Sequence, residues 1–356
     1  MSDTLGVQLT PWCSATELLA AGRLLAPAVD KVWVQDQMLA RNVYASLGAM
    51  AAVGCGVGTN VTYPIGRNPI EMASALATIA ELVPAGREVS VGMGTGGAVV
   101  NSLFVKTRPV GAVKEAISLM QGLWRGDDVP LDDFPLLGSA LGYRPGATAR
   151  LTFPVANPPS IILAGVGPQI MKVAAAHADG LLSSSNFPTH CLAAFRSGLF
   201  RELSGIDAVL ERVGERPFRL VFGINTSVSR DREAARAHAR RQVALVLGNP
   251  ALWPAIEAVG LDLDSAQDVK QAFDDGLGIE GAASRVAEAT TDALIVSGGP
   301  EECIEGLAEL AGHAGREGFT ELYIGGPLGP DQIEAAGLLA DIVIPAVWPE
   351  RAGAAL

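Results

Sequence analysis

The stretch "SIILAGVGPQIMKVAAAHADGLLSSS", residues 160–185, contains two apolar runs separated by a short segment with helical periodicity. The first run, 160–164, stops at Gly165-Val166-Gly167-Pro168, and the second, 180–184, leads into a row of serines. A strand, a glycine turn, a helix and a second strand in this order form a unit with two parallel strands. The stretch therefore predicts an α/β fold built on a parallel sheet.

The same alternation extends from one end of the 356-residue chain to the other. The runs interpreted as strands are LGVQL (5–9), KVWVQ (31–35), CGVGTNV (55–61), EVSVGM (88–93), SIILA (160–164), GLLSS (180–184), FRLVFGINTSV (218–228) and ELYIGG (321–326). Several of them are apolar on both faces, which is typical of parallel strands covered by helices. Eight such units predict a (β/α)₈ TIM barrel.

The intervening helices have recognisable ends. Asn68 is a capping residue and Pro69 suits the first helical position, so a helix is expected to begin there. Apolar residues recur at helical spacing over 109–125, and Gly126 is expected to end that helix. Both helices are predicted to lie against the sheet.

Two segments interrupt the eightfold alternation. Residues 126–159 are rich in proline and show no sustained period, and residues 248–298 contain helical pieces but no strong strand. They are interpreted as insertions before the fifth and the eighth strand. The simplest organisation is a single barrel domain over 1–356 with two excursions.

Composition narrows the classes of partner. The formal net charge is −12 and no cluster of Lys and Arg stands out, which argues against nucleic acid or an anionic membrane surface as a partner. The first ten residues do not resemble a secretory signal, and the uncharged stretch 42–66 is too polar and too rich in glycine to span a membrane. The sequence therefore predicts a cytoplasmic protein that acts on a small molecule.

Ligands of a (β/α)₈ barrel bind at the carboxyl ends of the strands. Among these strand-end residues only Asp36 is a carboxylate, and none of the four histidines falls there. The four cysteines are far apart and show no metal-binding spacing. A nucleophile–histidine site or a metal centre is therefore not expected, and a rim of glycine, amide and hydroxyl groups suits a cofactor that carries its own reactivity.

The glycine turn of the opening stretch has two interpretations. Gly165 and Gly167 would let the backbone approach a phosphate, and the helix that begins at Pro168 would direct free N–H groups at it. Ser183 and Ser184 could add hydroxyl donors from the neighbouring strand. Alternatively, the glycines serve only the tight turn.

Four blocks carry a family resemblance: residues 32–82, from "VWVQDQ" to "TIAEL"; "VGMGTGG" with "KEAISLMQGLWRGD"; "AGVGPQIMKVAAAHADGLL"; and "YIGGPLGPDQIEAAGLLADIVIPAV". They resemble the luciferase-like (β/α)₈ oxidoreductases. Within these, "VTYPIGRNP" and "GGPLGPD" are similar to the methylenetetrahydromethanopterin reductase branch, which uses the deazaflavin coenzyme F420. The resemblance covers about half of the chain and implies a homodimer.

The resemblance also implies site residues. Asp36 matches an acidic residue near the cofactor ring, and Asn60-Val61 matches a non-proline cis peptide whose bulge backs the ring. The remaining positions implied for the cofactor are Thr62, Gly94, Thr95, Gly96, Gly165, Val166, Gly167, Pro168, Ser183 and Ser184. Asp36 could instead be an ordinary strand-end residue that bonds to a loop.

Gln8 departs from the family pattern, because the methanopterin reductases resemble each other in a glutamate there. A neutral amide suits the orientation of a carbonyl or hydroxyl group better than reduction of a methylene-pterin. Gln8 and Asp36 are therefore the candidate catalytic residues, although Gln8 could also merely fill the barrel.

Three hypotheses about function follow. The first is hydride transfer between coenzyme F420 and a small carbonyl, alcohol, activated alkene or pterin-like substrate. The second is an FMN-dependent luciferase-like monooxygenase, and the third is a flavin- or deazaflavin-binding protein without catalysis. Turnover with reduced coenzyme separates the first from the third.

Overall fold

The computed structural model describes residues 4–105, 107–165, 167–183, 192–214 and 216–351. Its strands are β1 (Thr4–Leu9), β2 (Lys31–Val34), β3 (Gly56–Thr62), β4 (Val89–Met93), β5 (Val129–Pro130), β6 (Thr148–Ala149), β7 (Ser160–Ala164), β8 (Gly180–Ser183), β9 (Arg219–Val228), β10 (Val296–Gly298) and β11 (Glu321–Leu328). The eight strands predicted from sequence are all present, with ends that differ by a residue or two.

The helices lie between these strands. They are α1 (Ala15–Leu25), α2 (Val43–Ala51), α3 (Pro69–Leu82), α4 (Ala98–Leu103), α5 (Pro109–Arg125), α6 (Pro135–Leu141), α7 (Pro168–His177), α8 (Leu192–Arg196), α9 (Phe200–Ser204), α10 (Asp207–Val213), α11 (Arg232–Leu247), α12 (Trp253–Ala258), α13 (Leu263–Asp274), α14 (Gly278–Ala283), α15 (Glu288–Leu294), α16 (Pro300–Glu317), α17 (Gln332–Leu338) and α18 (Ile344–Val347). The Asn68 side chain caps α3 at the Ile70 N–H, and Gly126 ends α5 with φ of 81°. Both predicted helix ends are confirmed.

Eight strands close into a barrel. Their order around it is β1, β2, β3, β4, β7, β8, β9 and β11, and β11 pairs with β1. Every neighbouring pair is parallel. The predicted (β/α)₈ barrel is confirmed, and all eight carboxyl ends meet at one rim, called the mouth below.

Two aromatic side chains fill the centre of the barrel. Trp33 and Tyr323 are buried with their ring centroids 6.1 Å apart. A Cβ atom on Gly58 would lie 2.5 Å from the Trp33 ring, and one on Gly223 would lie 2.2 Å from Tyr323. Glycine at these strand positions therefore admits the large rings, and a packed interior supports the floor of the mouth.

The two insertions contain more regular structure than the sequence predicts. Residues 126–159 include α6 and an antiparallel pair of short strands, β5 and β6. In the second insertion, helices α12 to α15 pack with α11 around an apolar cluster separate from the barrel's core. The sequence predicts no strong strand there, and the described part of the insertion contains the short strand Val296–Gly298, which pairs in parallel with β9. Three residues are too few to give a period in the sequence.

A partly buried charge network lies at the amino ends of the strands, opposite the mouth, with Lys31 and Glu321 buried and Glu88 half exposed. Lys31 Nζ lies 3.1 Å from Glu321 Oε1 and 2.6 Å from Glu88 Oε1. Arg219 pairs with both carboxylates, at 2.7 Å from Glu88. These four residues, called the base network, join β2, β9 and β11 with the residue that precedes β4.

Among the described helices none is long and apolar enough to cross a bilayer.

Candidate active site

A pocket of about 380 Å³ opens at the mouth beside β1, β9 and β11. Gly325 pairs with Asn225 in the sheet, and Gln8 follows Val7, which pairs with Ile324. A Cβ atom on Gly325 would lie 2.9 Å from Asn225 Oδ1 and 3.4 Å from Gln8 Oε1. Glycine at this position therefore leaves room for two amide side chains on one level of the barrel.

The pocket is lined by neutral polar groups. Its walls are formed by Gln8, Thr10, Trp12, Cys13, Gln35, Asn225, His238, Gln242, Gly326, Pro327, Gly329, Pro330 and Gln332. Gln8 and Asn225 are each only 5% exposed. Neither amide bonds to another described residue, although buried polar groups are normally paired. Their free donors and acceptors face the pocket and are available to a ligand.

His238 is a functional candidate that the sequence did not indicate. It lies on α11, as its helical pattern predicts, but α11 packs beside β9 and brings the imidazole into the pocket wall. The sequence places no histidine at a strand end, and His238 reaches the pocket from a helix instead. Gln242 lies one turn further along α11 and lines the same pocket. The signal available in the sequence was the i, i+4 spacing, which places His238 and Gln242 on one face of the helix.

The wall formed by Thr10 and Cys13 is held by Gln332. Gln332 Oε1 accepts hydrogen bonds from the Thr10 N–H at 2.8 Å and from its hydroxyl at 2.9 Å. Gln332 Nε2 donates to Cys13 Sγ at 3.2 Å. Burial, followed by the charge of Glu17, raises the pKa of the Cys13 thiol. This wall is therefore rigid and neutral.

Asp36 follows β2 and forms a bidentate ion pair. Its carboxylate accepts hydrogen bonds from Arg67 at 2.6 and 3.2 Å and from the Thr62 hydroxyl at 2.8 Å, and Thr62 also bonds to Tyr44. Burial acts to lower the pKa of Arg67, but the hydrogen bonds and charge of Asp36 raise it overall. Asp36 therefore holds the guanidinium of Arg67 in place through two hydrogen bonds. Arg67 was overlooked, although it lies in the "VTYPIGRNP" block.

The Asn60–Val61 peptide bond is cis, which confirms the prediction. The register between β3 and β4 shifts here, from Thr59–Val91 to Thr62–Met93, and this is the predicted bulge. Asn60 Nδ2 is buried and has no hydrogen-bond partner among the described residues. A second cis bond, Gly326–Pro327, lies in the pocket wall and was not predicted.

The residues after β4 lie next to this bulge. A Cβ atom on Gly94 would lie 3.3 Å from Val61 Cγ2, and the Gly94 N–H donates to the Thr62 carbonyl at 2.9 Å. Thr95 and Gly96 follow, and Gly96 has a φ of 87°. The structure thus brings the predicted positions after β3 and β4 together at one side of the mouth.

The glycine turn of the opening stretch lies at the carboxyl end of β7. Gly167 precedes α7 with φ of 106° and no side-chain cap, and Pro168 is the first helical residue. A Cβ atom on Gly167 would meet nothing within 4 Å, whereas one on Gly165 would lie 3.0 Å from Ile170. Gly167 therefore faces open space at a helix start.

Ser183, on the neighbouring strand, accepts a hydrogen bond from the Gly223 N–H at 3.4 Å through its hydroxyl oxygen. Its hydroxyl proton is not used in that contact. A cavity of about 580 Å³ extends from Gly167 along α7, with Lys172 and Arg212 in its lining. Val166 and Ser184, which were also predicted to contact phosphate, lie outside the described residues.

Comparison with known proteins places this architecture in a family. The model of the luciferase-like monooxygenase family matches residues 27–317, more than half of the chain. The chain belongs to this family. The resemblance stated from the four sequence blocks is confirmed.

Two curated relatives of this luciferase-like protein share most of its length. It is 30% identical over 329 residues to 5,10-methylenetetrahydromethanopterin reductase of Archaeoglobus fulgidus, covering 89% of this chain and 91% of the relative. It is 29% identical over 315 residues to F420-dependent glucose-6-phosphate dehydrogenase of Mycobacterium tuberculosis, covering 78% and 81% of the two chains.

A solved structure confirms the fold of this luciferase-like protein. The coenzyme F420-dependent tetrahydromethanopterin reductase of Methanopyrus kandleri superposes with a TM-score of 0.75 at 20% identity. The superposition covers 97% of this chain and 99% of the other.

Proposed function

We propose that this protein is an F420-dependent oxidoreductase that transfers hydride between the coenzyme and a small neutral alcohol or carbonyl compound. Its cofactor class follows from its relatives, which include an F420-dependent dehydrogenase at 29% identity. We further propose that it acts as one barrel domain with two insertions, in a cytoplasmic homodimer.

The proposal about the substrate rests on the neutral lining of the pocket. Its hydrogen-bonding groups include the amides of Gln8, Gln35, Asn225 and Gln242 and the imidazole of His238. The part of the pocket wall formed by described residues contains neither a carboxylate nor a Lys or Arg side chain. Such a site can orient a hydroxyl or carbonyl oxygen, but it offers nothing to neutralise a phosphate or a carboxylate.

The residues opposite this pocket fit the coenzyme. The unpartnered Asn60 Nδ2 supplies a buried donor for a polar ring edge, and Val61 presents an apolar surface beside Gly94. Gly167 leaves space at the start of α7, where backbone N–H groups and the helix dipole favour a phosphate. Lys172 and Arg212 could pair with anionic groups further along the coenzyme.

When bound, F420 supplies a ring carbon that accepts or releases a hydride. The chain's own residues then have three tasks. Asn60, Val61 and Gly167 hold the coenzyme at one side of the mouth, and Gln8 and Asn225 hold the substrate oxygen at the other. Arg67, anchored by Asp36, keeps a positive charge near the ring. Fixing both reactants in this way removes most of the entropic barrier to transfer.

Substitution of Gly167 tests the phosphate site. We expect Gly167→Ala to weaken F420 binding at least about tenfold, because the new methyl group would occupy space that the phosphate needs and a helix-terminal anion is worth about 0.3–2 kcal/mol. The dissociation constant is measured by fluorescence titration, with FMN as a competing cofactor. The native protein is expected to retain F420 through desalting and to lose FMN.

The matched control for this substitution is Gly54→Ala. Gly54 has a φ of 101°, close to the 106° of Gly167, and a Cβ atom there also meets nothing within 4 Å. Both variants carry the same backbone strain, but Gly54 precedes β3 at the opposite end of the barrel. Equal F420 affinity in the two variants would contradict the phosphate site. Tight FMN retention by the native protein would favour the monooxygenase hypothesis instead.

A methylene-pterin is the second candidate substrate, because the chain is 30% identical to a methylenetetrahydromethanopterin reductase. Gln8 distinguishes the two candidates, since a carboxylate there would stabilise a cationic intermediate and an amide cannot.

We expect the native protein to interconvert ketones and secondary alcohols with F420. Gln8→Glu should lower this turnover by about 10- to 100-fold, because it replaces a hydrogen-bond donor with a buried, uncompensated charge. Gln35→Glu, on a less buried part of the pocket wall, is the control and should have a smaller effect. Steady-state rates are measured on a panel of ketones, alcohols, enones and methylene-pterins.

One outcome would contradict the proposed substrate, and a second would contradict the proposed catalysis. Faster turnover of a methylene-pterin than of any ketone would show that Gln8 is compatible with the pterin reaction. Stoichiometric F420 binding without turnover across the whole panel would favour the non-catalytic hypothesis.

A further inference from the structure

The pocket wall opposite the barrel strands is formed by one face of α11. His238 and Gln242 lie one helical turn apart on this face, and both line the pocket that holds Gln8 and Asn225. His238 Nδ1 is buried and forms no hydrogen bond within the part of the chain that the structure describes. No described residue therefore fixes the tautomer of this imidazole, whose ring lines the pocket.

Hydride transfer from an alcohol also releases a proton, and that proton needs an acceptor. Among the described residues of the pocket wall, only His238 and Cys13 can exchange a proton near neutral pH. The Cys13 thiol lies 3.2 Å from Gln332 Nε2, and burial raises its pKa. His238 is therefore the group in this wall that is free to exchange a proton with a substrate.

We infer that His238 is the catalytic acid and base of this site, an inference that rests on the proposed function. In the oxidation of a secondary alcohol, the neutral imidazole takes the proton of the hydroxyl group. The hydride leaves the carbon that bears this hydroxyl group and passes to oxidised F420. The O–H and C–H bonds break and the C=O bond forms, so both electrons of the C–H bond reach the coenzyme. In the reverse direction the imidazolium returns the proton to the carbonyl oxygen as hydride arrives.

The surroundings of His238 suit this role. Burial lowers the pKa of His238, and the positive charge of Arg241 lowers it further. Arg241, which lies outside the pocket wall, is itself paired with Glu280 of α14 at 2.8 Å, and the described residues of the pocket wall include no Asp, Glu, Lys or Arg. The imidazole is therefore neutral at pH 7 and ready to accept a proton.

The first test measures turnover of cyclohexanol and propan-2-ol with oxidised F420. We expect His238→Gln to lower kcat by about 10²- to 10⁴-fold with F420 affinity unchanged, because glutamine keeps hydrogen-bonding capacity but cannot be protonated. Added imidazole should restore the rate of His238→Ala at least about tenfold, which a purely structural role would not allow. His177→Gln is the control, since His177 lies on α7 and outside this pocket wall.

The second test needs no bound coenzyme. The chain contains four histidines, so a ¹⁵N-histidine-labelled sample gives a simple spectrum in which His238→Gln identifies one set of ring signals. Addition of cyclohexanol should shift the His238 ring signals and leave those of His177 unchanged.

The outcomes separate this inference from the function on which it rests. A native protein that oxidises neither alcohol overturns the proposed function, and the inference falls with it. A native protein that oxidises them, with His238→Gln within threefold of its rate or with unshifted His238 signals, overturns the inference alone.

Discussion

Replacing Arg67 by methionine is expected to destabilise the protein by about 3–5 kcal/mol, because it leaves a buried carboxylate without its cation. The Asp36 side chain is fully buried and Arg67 is 16% exposed. After the substitution the Thr62 hydroxyl, at 2.8 Å, is the remaining hydrogen-bond donor to that carboxylate among the described residues. One neutral hydrogen bond does not compensate a charge removed from water. The free energy of unfolding is measured by denaturant titration.

Two further variants serve as controls for the Arg67→Met prediction. Arg150→Met removes a cation from an exposed pair with Asp128, where the side chains are 59% and 67% exposed, and should cost at most about 1 kcal/mol. The double variant Asp36→Asn/Arg67→Met removes both charges and should recover much of the lost stability. A single Arg67→Met variant as stable as Arg150→Met would contradict the buried pair.

The double variant also tests the proposed role of Asp36. If it regains stability but binds F420 poorly, the pair serves the coenzyme as well as the fold. If both stability and F420 affinity return, the pair is structural and the proposed role for Asp36 is wrong.

The second large effect is expected at the base network. Glu321→Leu should destabilise the protein by about 3–5 kcal/mol, because Lys31 and Arg219 would then share the single carboxylate of Glu88. Lys31 and Glu321 are each about 1% exposed, so water cannot replace the lost partner. The control Glu309→Leu removes the carboxylate of an exposed pair with Arg196 and should cost at most about 1 kcal/mol.

This variant separates stability from function. The base network lies at the amino ends of the strands, opposite the mouth, so F420 affinity per folded molecule should stay unchanged. A loss of affinity without a loss of stability would contradict the division of the barrel into a stabilising base and a binding mouth.

The backbone of this protein was largely predictable from its sequence. The run over 160–164, the glycine turn and the helical pattern after Pro168 each depend on neighbours within a few residues. Alternation of eight such units then predicts the barrel, because parallel strands with short helical crossovers can bury their apolar faces by closing on themselves. The cis bond at Asn60–Val61 was predictable only through the family resemblance.

The side chains that meet across the barrel were not predictable from local pattern. Asp36 and Arg67 are 31 residues apart in sequence, and Lys31 and Glu321 are 290 apart. The i, i+4 spacing of His238 and Gln242 places them on one face of α11, but it does not indicate that this face lies toward the mouth.

The sequence by itself therefore determined the elements, their order and the rim where ligands bind, since these follow from periodicity and turn chemistry along the chain. Only the tertiary structure decided which polar groups face each other. Pairing of β11 with both β1 and β9 brings Gln8 and Asn225 into one pocket, and packing of α11 on β9 adds His238 to it. The physical reason is that burial removes these groups from water, so their partners are set by the closed barrel and not by chain neighbours.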